Sequence, residues 1–286
     1  MLGRLFSKLL FWRGDKAVIA VVRLKGVIAP STGGVRKSLN LETLEPQLKK
    51  AFSIGNIKAV ALVINSPGGS PVQSQLIADR IRQLASKNDT PVIAFCEDAA
   101  ASGGYWLACA ADEIYASPTS IIGSIGVVSS GFGFPDLLSK IGIERRVYTA
   151  GTSKAMLDPF QPEKEADVSH LKSLQAQLHD HFISYIKSRR GGKITAPDDE
   201  VFTGAFWSGS TALELGLIDA IGNLHQVMAQ KFGQDYRLVT MSAKSNFSLL
   251  SALSSSASSK ETMMGDATDA VINKLDERSW WSRLGL

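Results

Sequence analysis

Three short stretches hold the residue types from which a reaction could be built. Ile64-Asn65-Ser66-Pro67-Gly68-Gly69 closes an apolar run with a glycine turn, and Ala99-Ala100-Ala101-Ser102-Gly103-Gly104-Tyr105-Trp106 sets one serine among small residues. Gly151-Thr152-Ser153-Lys154 places a lysine 52 positions beyond that serine. A serine hydroxyl is a weak nucleophile and needs a base within hydrogen-bond reach. Lysine can be that base only when it is neutral, a state favoured by burial against apolar atoms, and Lys154 is followed by Ala155-Met156-Leu157. The chemistry these pieces would support together is acyl transfer. Ser102 is the candidate nucleophile and Lys154 the candidate base. The Gly103 N–H at a helix start and the N–H groups of the Gly68-Gly69 turn, which has no side chains in the way, are candidate donors to an oxyanion. Ser124, in Gly123-Ser124-Ile125-Gly126, is a candidate third member that holds the lysine amine. Each residue alone has a plainer reading, as an N-cap serine, a surface lysine or a hydroxyl satisfied in a turn.

Histidine, the usual base, is represented by His170, His179, His181 and His225. None lies beside a glycine-rich turn, so surface or packing roles are expected for all four. Gly-x-x-x-x-Gly-Lys-Ser/Thr is absent, which leaves nucleotide binding without support. No cofactor or metal is implied. The 286 residues carry a formal charge of +4 with no basic stripe interleaved with aromatics, so nucleic acid is a poor candidate partner. Cys96 and Cys109 lie in apolar surroundings and read as buried free thiols.

The elements that must position these residues alternate between strand and helix. Strands are expected over 17–24, 57–64, 91–95, 114–116, 145–149 and 236–241. Helices are expected over 41–52, from Pro71 onward with Leu76, Ile77, Ile81 and Leu84 inward, over 99–111 and 136–141, and over the long stretch 159–191. Pro46 requires that its helix begin within a few residues of it. Ser70-Pro71 with Gln73 reads as a capping box, and 121–128 as irregular extended chain. The alternation defines an α/β domain, layered, with a mostly parallel sheet flanked by helices. The candidate residues follow predicted strands and can share the rim at the strands' carboxyl ends. The division expected is an amphipathic lead-in over 1–16, one domain over 17–244, and a serine-rich linker with an amphipathic tail over 245–286. The lead-in reads as a helix on a membrane or partner, or as a segment docked on its own domain. The tail, with Trp280-Trp281, reads as a docking segment or a loosely attached end.

Taken together, Asn65-Ser66-Pro67-Gly68-Gly69, Ala100-Ala101-Ser102-Gly103-Gly104-Tyr105, Gly123-Ser124-Ile125-Gly126-Val127 and Gly151-Thr152-Ser153-Lys154 resemble the signal peptide peptidase A family, which includes SohB-like proteases. Gly216-Leu217-Ile218-Asp219 is similar to its downstream element, and the resemblance runs from about Val18 to Val227. It implies a ClpP/crotonase-like fold and serine endopeptidase activity on signal-peptide remnants or other small or unfolded peptides. Ser102 would be the nucleophile, Lys154 the base, Gly69 and Gly103 the oxyanion donors, and Ser124 the hydroxyl that positions the lysine. It also implies a homo-oligomer whose sites take serine and lysine from adjacent protomers. No transmembrane anchor is read in the chain, and the expected location is cytoplasmic, either free or peripheral on the inner face of the membrane. The rival readings are a catalytically silent oligomeric scaffold and a crotonase-like acyl-CoA enzyme.

Overall fold

A computed structural model describes residues 16–31, 38–242 and 278–286. The expected lead-in and most of the serine-rich linker lie outside the described residues. The sheet is built on β1 (Ala17–Lys25), β2 (Ile57–Ser66) and β3 (Val92–Ala101), all parallel. β8 (Tyr236–Met241) adds in parallel to β1, and β5 (Ile121–Gly123) in parallel to β3. β6 (Phe206–Ser208) closes that edge antiparallel to β5, giving the order β6-β5-β3-β2-β1-β8. β4 (Glu113–Ala116) pairs with β3 and with β7 (Ala220–Ile221).

The central strands are apolar through their middle stretches, as in Ile19 to Val22, Ala59 to Ile64 and Val92 to Cys96, because both their faces are covered there. Ile19 and Val21 face Ala59, Ala61, Val63, Ile93, Phe95 and a helix bearing Val227 and Met228. Ala20, Val22 and Leu24 face the larger layer with Val60, Leu62, Ile64 and Ala94. On that larger side lie α1 (Leu41–Phe52), α2 (Pro71–Asn88) and α3 (Gly103–Ala108). Burial raises the Cys96 thiol far above its ordinary range and pushes Cys109 up to about 12, so both stay protonated and inert.

The elements depart from the sequence expectations where tertiary contacts outweigh local propensity. The alanine run does not open a helix at residue 99. Ala99, Ala100 and Ala101 continue β3 because they pair with Ile121, Ile122 and Gly123, and the helix that follows is only six residues long. Alanine's helix preference is a few tenths of a kcal/mol, roughly the value of one good contact. Pro46 sits inside α1 beyond its first turn, after the Asn40 cap, so one backbone hydrogen bond is forgone in a helix otherwise anchored by buried Leu44, Leu48 and Phe52. Ser70 caps α2 as expected by accepting from the Gln73 N–H. The box is only half formed: Gln73 Oε1 accepts instead from Leu41 N at 3.0 Å, at the start of α1, and Ser70 N donates to the Ile28 carbonyl at 2.7 Å. Leu76 faces outward, and Ser74 and Ala78 join Ile77 and Ile81 on the buried side.

Residues 145–149 form no strand and are exposed. The segment from Phe132 to Phe160, which includes the short helix α4 (Leu137–Lys140), folds on itself. Phe134 packs near Phe160 with ring centroids 6.0 Å apart, and Arg145 lies over Phe160 and pairs with Asp158 at 3.0 Å. The long helix α5 (Glu165–Arg190) starts after Pro162, later than expected. Its carboxyl half is anchored by Phe182 and Ile186, while Leu174, nearer the middle, is 47% exposed. After α5 come α6 (Asp198–Val201), α7 (Gly209–Glu214) and α8 (Leu224–Phe232).

Candidate active site

Parallel pairing of β3 with β5 sets Ala101 beside Gly123, so the next residues, Ser102 and Ser124, leave the carboxyl ends of neighbouring strands together. Ser102 N donates to the Gly123 carbonyl at 2.7 Å, and its own carbonyl accepts from Tyr105 N and Trp106 N. These bonds hold Ser102 at φ 52°, ψ −121°, a backbone state that costs an L-residue on the order of 1–3 kcal/mol. A strained serine between a strand and a helix is a device for lifting a hydroxyl out of the backbone. Ser124 also has positive φ, 53°, and its N–H donates to the Ala205 carbonyl at 2.6 Å.

The glycine turn is pressed against this corner. A Cβ on Gly68 would lie 2.8 Å from Ser102 Cβ and 2.9 Å from Gly103 N, so only glycine fits. Gly69, at φ 140°, would drive a Cβ into the Ile28 carbonyl oxygen. Ile28 N donates to Gly68 O and Ser70 N donates to Ile28 O, at 2.8 and 2.7 Å. Strand alternation therefore turns the Gly69 N–H away from Ile28. Among the described residues neither Gly69 N nor Gly103 N donates a hydrogen bond, and both residues line a cavity with Ser102. The rest of the motif is scaffolding. Buried Asn65 donates to Asp98 at 2.6 Å and accepts from Ala99 N, while Ser66 donates to the Gly26 carbonyl and accepts from Gly68 N.

Two cavities open at Ser102. One, of about 230 Å³, is walled by Trp106, Leu178, Phe182, Val128 and Trp280 together with Gly69 and Gly103. The other, of about 380 Å³, includes Ser124, His179, Thr203, Arg283 and Leu284. The structure thus gathers Ser102, Ser124, Gly69 and Gly103. Lys154 is not gathered with them: it is exposed in a turn and lines neither cavity.

Sequence reasoning missed two contributors. His179 donates from Nε2 to the Ile125 carbonyl at 2.9 Å and forms part of the wall beside Ser102. No sequence spacing points to it, because only the docking of α5 brings it there. A short C-terminal helix over 278–282 carries Trp280 to the same place, and Leu284 and Trp281 pack on Ala99, Ala101 and Ile121. Gly216-Leu217-Ile218-Asp219 lies away from the cavities as a structural lock: Tyr105 Oη donates to the Leu217 carbonyl, and Asp219 binds Arg190, Lys193 and the Ile114 N–H.

A serine raised at the carboxyl rim of a layered α/β sheet, with unpaired backbone N–H groups beside it, is the arrangement of a ClpP/crotonase-like hydrolase. The family model of peptidase family S49 matches residues 85–234, more than half of the 286-residue chain. The chain belongs to that family, the signal peptide peptidase A family that includes SohB-like proteins. It is 32% identical over 208 residues to a putative signal peptide peptidase SppA of Enterococcus faecium, covering 71% of this chain and 60% of that protein. It is 34% identical over 180 residues to a probable protease SohB of Buchnera aphidicola, covering 63% of this chain and 52% of that one. It is also 44% identical over 279 residues to a protein of Brucella abortus named as the Na(+)/H(+) antiporter NhaA, covering 96% of this chain but only 38% of that protein. Most of the Brucella protein therefore lies outside the match. Among the described residues, no helix of this chain is long and apolar enough to cross a membrane.

Proposed function

We propose that the chain is a serine endopeptidase that uses Ser102 as nucleophile and Lys154 as general base, with the two supplied by adjacent copies. The observation that carries this reading is the Ser102 corner, a strained serine flanked by the free N–H groups of Gly69 and Gly103. In a single chain Lys154 is exposed. The burial that favours a neutral amine must then come from a neighbour. The surroundings of Lys154 support such a contact: Phe132 is 82% exposed and Tyr148 90%, and Ile141 and Ile143 are also exposed. Apolar exposure on this scale marks an interface, and the occupant proposed is a second copy of this chain.

In the assembled site Lys154 Nζ takes the proton from Ser102 Oγ as the oxygen bonds to the scissile carbonyl carbon. The carbonyl electron pair moves onto oxygen, where the Gly69 and Gly103 N–H groups donate to it. The tetrahedral species collapses, the C–N bond breaks, and the lysine ammonium returns the proton to the leaving amine. Water, deprotonated by the same lysine, then releases the acyl group from Ser102. Ser124, on the cavity wall, orients the amine. The substrates are peptides, including signal-peptide remnants, in keeping with the name of the Enterococcus relative.

The test is hydrolysis of a mixed peptide library by wild type, Ser102→Ala and Lys154→Ala, with particle mass recorded on the same samples. Cleavage by wild type alone, in a large particle, is expected. Undiminished cleavage by Lys154→Ala would remove the lysine from the mechanism. Intact assembly without cleavage by any of the three would make the protein a silent scaffold.

A further inference from the structure

The Trp280-Trp281 tail has no part in the reaction just described, yet it lies against the site. Leu284 is 8% exposed and, with Trp281, packs on Ala99, Ala101 and Ile121. These residues belong to the paired strand ends that lead into Ser102 and Ser124. Arg283 donates to Ser130 Oγ at 3.1 Å and stacks over the Trp280 ring at 4.9 Å, so the indole is fixed from its own segment. Trp280 is common to both cavities that open at Ser102.

The smaller cavity is a side-chain pocket by its chemistry. Its walls are Trp106, Phe182, Leu178, Val128 and Trp280, and its mouth is the corner formed by Gly69, Ser102 and Gly103. Trp106 is held rigid by stacking on Phe182 and Tyr185, with centroids 4.6 and 5.1 Å apart. About 230 Å³ remains open with Trp280 in place, so the indole forms a wall and does not fill the space. An aromatic-walled pocket of this size beside a nucleophile takes one large apolar side chain, whose burial is worth roughly 25 cal/mol per Å².

We propose that Trp280 is a specificity-determining residue: the docked C-terminal segment completes the pocket next to Ser102 and selects peptides with a bulky apolar side chain at the residue that enters it. The assignment rests on the peptidase reading above. Loss of Trp280 would open one wall, weaken contact with large side chains and leave small ones almost unaffected.

The test uses the full chain in four forms: wild type, Trp280→Phe, Trp280→Ala and Leu284→Asp, the last chosen to undock the segment while keeping the indole. Peptides differing only by Ala, Leu or Phe at the varied residue are measured in two ways. Cleavage is read as kcat/KM, and binding is read as Kd in the same variants carrying Ser102→Ala. Wild type and Trp280→Phe are expected to favour Leu and Phe over Ala by about tenfold or more, the discrimination a hydrophobic pocket supplies. Trp280→Ala and Leu284→Asp are expected to lose most of that preference through weaker binding of the large side chains, with particle mass unchanged. An unaltered preference in both variants would overturn the proposal. So would a uniform rise in binding and cleavage, which would make the segment a plug. Selective binding without any cleavage by wild type would sink the peptidase reading and leave the pocket standing.

Discussion

His179 and Ser102 lie far apart in the chain and meet on one cavity wall. A carbonyl oxygen can only accept, so the bond to Ile125 fixes the hydrogen on His179 Nε2. Ile125 follows Ser124, and the Gly123 carbonyl beyond it receives the Ser102 N–H. The histidine therefore positions the turn that holds both serines. His179→Leu is expected to lower kcat by about five- to tenfold, the rate equivalent of one hydrogen bond of ~1 kcal/mol, with little change in KM. His179→Gln retains an N–H donor and should recover most of that loss. If His179→Gln were as inactive as Ser102→Ala, the histidine would be a base and the lysine mechanism would be in doubt.

At the level of elements, the lock between α5 and the sheet keeps the cavity walls in register. Arg190, 4% exposed at the end of α5, donates to Asp219 at 2.7 Å and to the Gly216 carbonyl at 2.6 Å. Arg190→Met leaves Asp219 without its buried partner and is expected to cost about 3–5 kcal/mol in denaturant unfolding. A loss below ~1 kcal/mol would show that Lys193 and the Ile114 N–H suffice. Burial alone would raise the Asp219 pKa, but hydrogen bonds from Lys193, Ile114 N–H and Arg190 outweigh it and hold the carboxyl below its ordinary value of 3.8. A depressed folded value means the contribution is complete above that pH and fades as pH falls through the folded value. In acid titration the stability gap between wild type and Asp219→Asn should therefore close below about pH 4. A gap that stayed constant down to pH 2 would contradict the assignment.

Much of this level was legible in the sequence. The β-branched apolar run Val18 to Val22 suits a strand covered on both faces, which it forms, and Ser70-Pro71 marked a helix start that the structure keeps. The end of β3 was not legible. Ala99 to Ala101 are helix formers by composition, and only pairing with Ile121 to Gly123, set by tertiary register, makes them strand. The same limit hid His179 and Trp280. A residue that joins a site through helix docking or a returning terminus leaves no spacing to read. Ser102 and its two glycines were legible only in company: each alone had a plainer reading, and the glycine turn, the serine among small residues and the later motifs carried the family resemblance together.

For the whole molecule, one copy has the Ser102 corner but holds Lys154 elsewhere, on a surface rich in exposed Phe132, Ile141, Ile143 and Tyr148. Phe132→Asp with Ile141→Asp is expected to leave circular dichroism and thermal midpoint close to wild type. The same pair should lower particle mass to that of one chain and remove peptide cleavage. Retained cleavage by such a monomer would mean that each chain completes its own site. The most direct measurement is to mix the two inactive variants. Ser102→Ala still offers Lys154 and Lys154→Ala still offers Ser102, so co-assembly rebuilds intact sites at the interfaces between unlike copies. Subunits exchanged in equal amounts should recover up to about a quarter of wild-type activity, the chance that a head-to-tail interface pairs the two intact halves. No recovery, in particles shown to contain both variants, would contradict a site shared between copies.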